Sequence, residues 1–183
     1  MKFCQEQSLI LTMKNKITYL IFLLSLSFSF FAQQPSPENT YPKIVGYMGI
    51  LHPITTWSAD GSSTSNFGSS YTIGFPTGIN ILKSDKIGFS FEFVPTIRSE
   101  NGVSKVNNFL FHPGVMFRFK HGLTLVTRAA FETGGRYGFT PVLNKVVKKN
   151  KHSNYFIAVP LPVRFGNDRP TSYTIGFQFG VGF

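Results

Sequence analysis

Residues 87–98 read Ile-Gly-Phe-Ser-Phe-Glu-Phe-Val-Pro-Thr-Ile-Arg, and their two-residue rhythm decides the fold class. Successive side chains of an extended chain point to opposite sides. Ile87, Phe89, Phe91, Phe93 and Ile97 therefore share one face, and Gly88, Ser90, Glu92, Thr96 and Arg98 share the other. The division recurs at Phe109, Phe111, Val115, Phe117 and Phe119 against His112, Gly114, Arg118 and Lys120. Tyr71, Ile73, Phe75, Ile79 and Ile81 likewise oppose Thr72, Gly74, Gly78 and Asn80. Further on, Tyr155, Ile157, Val159, Leu161, Val163 and Phe165 oppose Ala158, Arg164 and Gly166. Each ribbon has one greasy face and one face of small or sparsely charged residues.

Working outward, the rhythm predicts strands at 43–51, 70–82, 86–98, 109–119, 122–133, 154–166 and 171–183, with a weaker one at 136–147 around Tyr137, Phe139, Val142 and Leu143. Turn chemistry separates them at Lys83-Ser84-Asp85, Lys120-His121-Gly122 and Asn167-Asp168-Arg169-Pro170. Longer polar stretches, Thr55 to Ser69 and Ser99 to Asn108, read as loops. Short turns at one end and long loops at the other suit a membrane barrel, which with both termini on one side needs an even strand number, about eight being the smallest common form. The expected fold is thus all-β: an up-and-down antiparallel transmembrane β-barrel of eight strands. Pro95, Pro113, Pro160 and Pro162 fall inside the runs and must sit at bulges or beyond the hydrocarbon band, since each removes a ladder donor.

Composition decides which face meets solvent. Twenty-one Phe, seven Tyr and seventeen Gly stand beside only 14% charged residues. A soluble barrel with a greasy interior needs an outer face rich in Lys, Glu and Asp. The non-greasy face here is mostly Gly, Ser, Thr, Ala and Gln, which suits a crowded lumen. Glu92, Arg118, Arg128, Glu132 and Arg164 are the charges that fall on it, and they are expected to form an interior network because a buried charge is tolerable only when paired. For any one of them a solvated place near a rim is the competing reading.

The N-terminal segment reads as an export signal. Lys14, Asn15 and Lys16 precede an apolar run from Ile17 to Ala32, which gives way to Gln33-Gln34-Pro35-Ser36-Pro37-Glu38. The run is short and serine-interrupted for a spanning helix, which needs ~20 apolar residues. The expected organisation is an extension and signal peptide over 1–32, cleaved after Ala32, a short periplasmic lead over 33–42, and the barrel over 43–183; an uncleaved signal anchor is the competing reading, because Phe30 stands where a small residue is preferred. Met13 begins a conventional signal by itself, so residues 1–12 read as an extension or a misassigned start. The formal charge of +10 falls to +8 once Lys2, Lys14, Lys16 and Glu6 are removed. These charges are scattered mostly over turns without a nucleic-acid motif, so no nucleic-acid partner is expected. Cys4 is the only cysteine and precedes the signal, so neither a disulfide nor a lipid-modified cysteine is expected in the exported chain.

The last residues, Tyr173-Thr-Ile175-Gly-Phe177-Gln-Phe179-Gly-Val181-Gly-Phe183, resemble the C-terminal β-signal of bacterial outer-membrane proteins. That resemblance implies insertion by the barrel-assembly machinery, with Tyr173, Ile175, Phe177, Phe179, Val181 and Phe183 as its apolar register. By pattern, the exported chain resembles the small eight-stranded outer-membrane barrels of the OmpA and OmpX type in Gram-negative bacteria. This implies outer-membrane lipid as its surroundings; the expected role is envelope-structural or surface-interaction, without cofactor or catalysis, the alternatives being a lipid A modifying barrel enzyme and a soluble secreted lipid-binding β-barrel. No peptidoglycan-binding domain is expected after the barrel.

Some barrels of this class modify lipid A, using His, Ser and an acid. Here His52, His121 and His152 fall in or beside turns, and only His112 falls on an inner face. A triad of His112, Glu132 and some serine is conceivable, but no motif selects the serine. Lys145, Lys148, Lys149 and Lys151 form a basic cluster, read as a solvated turn in preference to a lipid-headgroup contact, on the periplasmic side. Trp57 reads as an interfacial anchor in a Ser-rich loop. A small barrel's lumen is filled by side chains, so an open diffusion pore is not expected.

Overall fold

A computed structural model of the chain describes residues 41–183. The segment 1–32 expected to be an extension and signal peptide, and most of the expected 33–42 lead, lie outside the described residues. The described chain is one antiparallel sheet of eleven strands. These are β1 (Lys43–Ser58), β2 (Ser63–Ser65), β3 (Ser70–Gly74), β4 (Thr77–Leu82), β5 (Ile87–Glu100) and β6 (Val103–Arg118), followed by β7 (Leu123–Glu132), β8 (Tyr137–Lys149), β9 (Asn154–Pro160), β10 (Val163–Phe165) and β11 (Ser172–Gly182). The sheet closes on itself: β11 pairs with β1 from Tyr47–Gly182 to Ser58–Ser172. At the seam Gly46 and Phe183 exchange both backbone hydrogen bonds at 2.9 Å.

The strand number corrects the expectation of eight, and prolines are the reason. β3 and β4 both lie between β1 and β5, separated by Phe75-Pro76. β9 and β10 both pair with β8 and β11, separated by Leu161-Pro162. Each pair thus occupies one place in a ring of eight places, and β2 is a short addition beyond it, paired with the end of β1. Two other interior prolines sit beside irregularities in a ladder. Pro95 adjoins the bulge at Thr96/Ile97, and Pro113 lies where the β6–β7 ladder skips from Phe111–Phe131 to Gly114–Arg128.

Two expected loops are ribbon instead. β1 continues through Trp57 to Ser58, and residues 99–108 are the tip of the β5–β6 hairpin, turned at Asn101 (φ 51°) and Gly102 (φ 75°). An Asn-Gly pair with positive φ at both positions is the favoured two-residue hairpin turn, because its twist matches that of the strands. Its β6 side is free of the ring, since the ladder from β6 to β7 begins only at Leu110–Glu132, while its β5 side pairs with β3 as far as Ser70–Glu100.

The alternation points outward with its aromatic face. In β5, Ile87, Phe89, Phe91 and Phe93 are exposed while Gly88, Ser90, Glu92 and Val94 are buried. The same holds at Phe109 and Phe111 around Leu110 and His112, and at Tyr155, Ile157 and Val159 around Phe156, Ala158 and Pro160. At one end the lumen is packed by Tyr47, Leu82, Met116, Val126, Val142 and Phe156.

Glycines make room where large inward side chains cross. A Cβ on Gly78 would come 2.5 Å from the Tyr47 hydroxyl, and one on Gly114 would come 2.7 Å from Arg128 Cα. Both distances are closer than real Cβ atoms approach, and backbone cannot yield as a side-chain tip can. Gly114→Val is therefore expected to cost about 1–3 kcal/mol or more through overpacking. A lower urea midpoint and a reduced folded band on unboiled gels would register this, and an unchanged midpoint would contradict the close approach.

Candidate functional site

The lumen's conspicuous feature is a connected set of buried polar side chains drawn from β1, β5, β6, β7, β8 and β10. Glu92 and His112 are direct cross-strand partners. His112 Nδ1 lies 3.0 Å from Glu92 Oε1, and Arg164 Nη2 lies 3.2 Å from His112 Nε2. A guanidinium can only donate, so Nε2 must accept and the proton sits on Nδ1, where it donates to the carboxylate. His112 is thereby held as one neutral tautomer between an anion and a cation.

The remaining members close the chain at both ends. Arg128 Nη1 pairs with Glu92 Oε1 at 3.3 Å, and its Nη2 donates to the Tyr47 hydroxyl and to Ser90 Oγ, each at 3.0 Å. The Tyr47 hydroxyl donates to Glu92 Oε2 at 2.9 Å. Beyond His112, Arg164 Nε pairs with Glu132 Oε1 at 2.6 Å, and its Nη1 donates to Thr140 Oγ1 at 3.0 Å. Asn108 Nδ2 donates to Glu132 Oε2 at 2.6 Å, while Asn108 Oδ1 accepts from the Thr133 hydroxyl at 2.6 Å. Two carboxylates and two guanidiniums balance with a neutral imidazole between them. A network this satisfied is tolerable inside the lumen, whereas a partly satisfied one would cost more than an apolar core.

Of the residues expected in an interior network, Glu92, Arg128, Glu132 and Arg164 lie together. Arg118 does not: it sits at the end of β6, next to the turn, and its backbone N–H bonds to Lys86 O. Its parity is inward, but its height puts it near the rim, a coordinate that alternation does not supply. Tyr47, Ser90, Asn108 and Thr140 join the network without having been singled out. Tyr47 was hidden because Ile44 to Leu51 (IVGYMGIL) is apolar on both faces.

The network divides the lumen into two cavities. One, of about 450 Å³, opens among Asn66, Arg98, Arg136 and Arg169 at the end with the β5–β6 hairpin. The other, of about 430 Å³, is lined by Tyr47, Leu82, Met116, Val126 and Phe156 toward the chain-terminus end, with Lys43 and Lys149 at its edge. Arg128, Val142 and Gln178 line both, so the partition is thin and polar on one side.

The conceivable triad of His112, Glu132 and a serine is not assembled. The carboxylate on His112 is Glu92, Nε2 is taken by Arg164, and the nearby Ser90 hydroxyl accepts from Arg128. Among the described residues, no group of three or more His, Cys, Asp or Glu side chains is placed to hold a metal. His52 lies within β1 and not beside a turn, its Nδ1 2.9 Å from the Tyr71 hydroxyl. Trp57 is also on β1, outward and opposite Tyr173. On β11, Tyr173, Ile175, Phe177, Phe179 and Val181 form one outward row that Phe183 extends.

No protein-family model matches the chain, and no curated protein matches it. Three solved structures resemble it loosely. A designed transmembrane β-barrel aligns with TM-score 0.47 and 9% identity over 79% of this chain and 97% of its own. The solution structure of the designed barrel TMB2.3 aligns with TM-score 0.44 and 11% identity, over 80% and 97% of the two chains. The outer membrane protein OprG from Pseudomonas aeruginosa aligns with TM-score 0.37 and 8% identity, over 76% and 93%. Likeness at this level transfers no function.

Removing one member of the central pair is expected to hurt more than removing both. Glu92→Leu leaves Arg128 unpaired in the lumen and should cost about 3–5 kcal/mol, whereas Glu92→Leu with Arg128→Leu should cost much less. Urea unfolding of the refolded barrel in lipid measures both, and simple additivity of the two single substitutions would contradict the coupling.

Proposed function

We propose that the chain is an outer-membrane β-barrel of the Gram-negative envelope, with a structural or surface-interaction role and no catalysis. One observation carries the reading: the barrel is inside out relative to a soluble one. Phe89, Phe91, Phe93, Phe111, Phe117 and Phe177 lie outward at 38–55% exposure, while Glu92, Arg128 and Arg164 are inward at 4–6%. A continuous apolar exterior in water would be an aggregation surface, and a closed sheet is the β-form that hydrocarbon tolerates. Lys145, on the outward row of β8, turns its Nζ to the His121 carbonyl at the rim, at 2.6 Å. Long cationic side chains at membrane edges snorkel in this way.

The ring of eight places supports kinship with barrels of the OmpA and OmpX type, and the outward row of β11 supports recognition by the barrel-assembly machinery. An export signal over 1–32 would deliver the chain to that machinery. The polar partition across the lumen speaks against free diffusion, so interaction falls to the rims, above all the β5–β6 hairpin with Val103, Lys105 and Val106 exposed at its tip. A lipid A modifying enzyme is disfavoured by a histidine whose two nitrogens are both engaged. A soluble lipid binder is disfavoured by the outward aromatics.

Cell fractionation tests the reading. The exported chain is expected in the detergent-extracted outer membrane, running faster on gels unboiled than boiled, with identical lipid A mass spectra from strains with and without the gene. A water-soluble periplasmic monomer would contradict it.

A further inference from the structure

The expectation of a merely solvated lysine turn at 145–151 changes once the topology is known. β7 and β8 are neighbours, and Gly122 of the β6–β7 turn packs against Val146 of β8. The turn at 119–122 therefore brings Lys120 beside the end of β8 and the β8–β9 turn. Lys145 is the cross-strand partner of Ile157, and Lys148 that of Tyr155. Cross-strand partners share a face, and Ile157 and Tyr155 are exposed on the outer one. A bulge between Val146 and Lys148 resets the ladder so that a second lysine returns to that outer face. Lys151 follows in the turn, exposed.

We infer that Lys120, Lys145, Lys148 and Lys151, flanked by Tyr155, form a docking surface for the headgroups of anionic phospholipids in the leaflet at the chain-terminus end of the barrel. The inference rests on the membrane reading above and adds to it. Three observations favour lipid as the occupant. The patch is continuous with the apolar exterior, so a molecule held there keeps its acyl chains against Leu143, Ile157 and Val159. Tyr155 stands at the apolar edge, where an amphipathic ring sits at headgroup level. No Asp or Glu occurs in 119–122 or 142–155, and among the described residues none of these lysines has an ion pair. Asp85, the acidic side chain of the β4–β5 turn at this same rim, accepts from the Tyr41 hydroxyl. Each cation close to an anionic membrane surface is worth roughly 1 kcal/mol, about fivefold in affinity.

The test uses the exported chain in nanodiscs of equal phosphatidylglycerol and phosphatidylcholine, with the lipids retained on gentle extraction counted by native mass spectrometry. Wild type is expected to retain phosphatidylglycerol over phosphatidylcholine by about fivefold or more. Lys120→Gln, Lys148→Gln and Lys151→Gln together should bring the ratio near one while leaving the unboiled gel shift intact. Lys83→Gln with Lys86→Gln, on another turn of the same rim, should leave the preference in place, as should excess inorganic phosphate. An even ratio in wild type, an unchanged ratio in the triple variant, equal loss in both variants, or displacement by phosphate would each overturn the inference. Incorporation without selectivity would sink this inference alone. Failure to incorporate would sink it together with the membrane reading.

Discussion

In hydrocarbon a backbone N–H or C=O has no water to bond and must find its partner within the protein, and each one left bare costs several kcal/mol. A sheet with a free edge is therefore excluded, and the seam between β1 and β11 is what allows the other strands to sit where they do. The prolines that would break an open sheet are absorbed around this ring. Pro76 and Leu161-Pro162 interrupt strands without opening them, because carbonyls there are still used: Gly49 N–H bonds to Pro76 O and Thr174 N–H to Pro162 O, at 2.8 and 2.9 Å. The notches shorten strands and leave the circuit whole.

Closure then dictates the interior. With the aromatic face outward, the lumen must be filled by what remains on the other face, and a narrow ring leaves little room. Gly78 and Gly114 yield space to Tyr47 and Arg128, whose guanidinium carbon lies 5.9 Å from the Tyr47 ring centroid. Charges are admitted only as a balanced set, Glu92 with Arg128 and Glu132 with Arg164, with His112 between them. The same partition that satisfies these groups separates the two cavities, so packing and electrostatics follow from one arrangement.

Much of the fold is legible because alternation reports parity directly: it puts Phe89 to Phe93 and Phe109 to Phe119 on one side, and that side is the outer one. Parity does not report height. Arg118 and Arg128 share a face, yet one lies at a rim and the other mid-lumen. Nor does it report register, so Glu92 opposite His112 could not be read from residues twenty apart in sequence. The polarity of residues 99–108 suggests a loop, although Asn101-Gly102 carries the signature of a hairpin turn. A ribbon exposed on both faces has no greasy side to announce it. The lysines near residue 148 show the same limit, since their neighbour Lys120 arrives by topology alone.

The central claim is the direction in which the phenylalanines point. Proton NMR of the refolded chain in lipid nanodiscs, with ring-labelled phenylalanine, tests it through cross-relaxation with acyl-chain methylenes. Rings of Phe89, Phe91, Phe93 and Phe111 are expected to contact lipid, whereas the methyl groups of Val94 and Leu110, buried at 0% and 9% exposure, are not. Phenylalanine rings that relax only against protein, in a chain that stays monomeric without any amphiphile, would contradict the account.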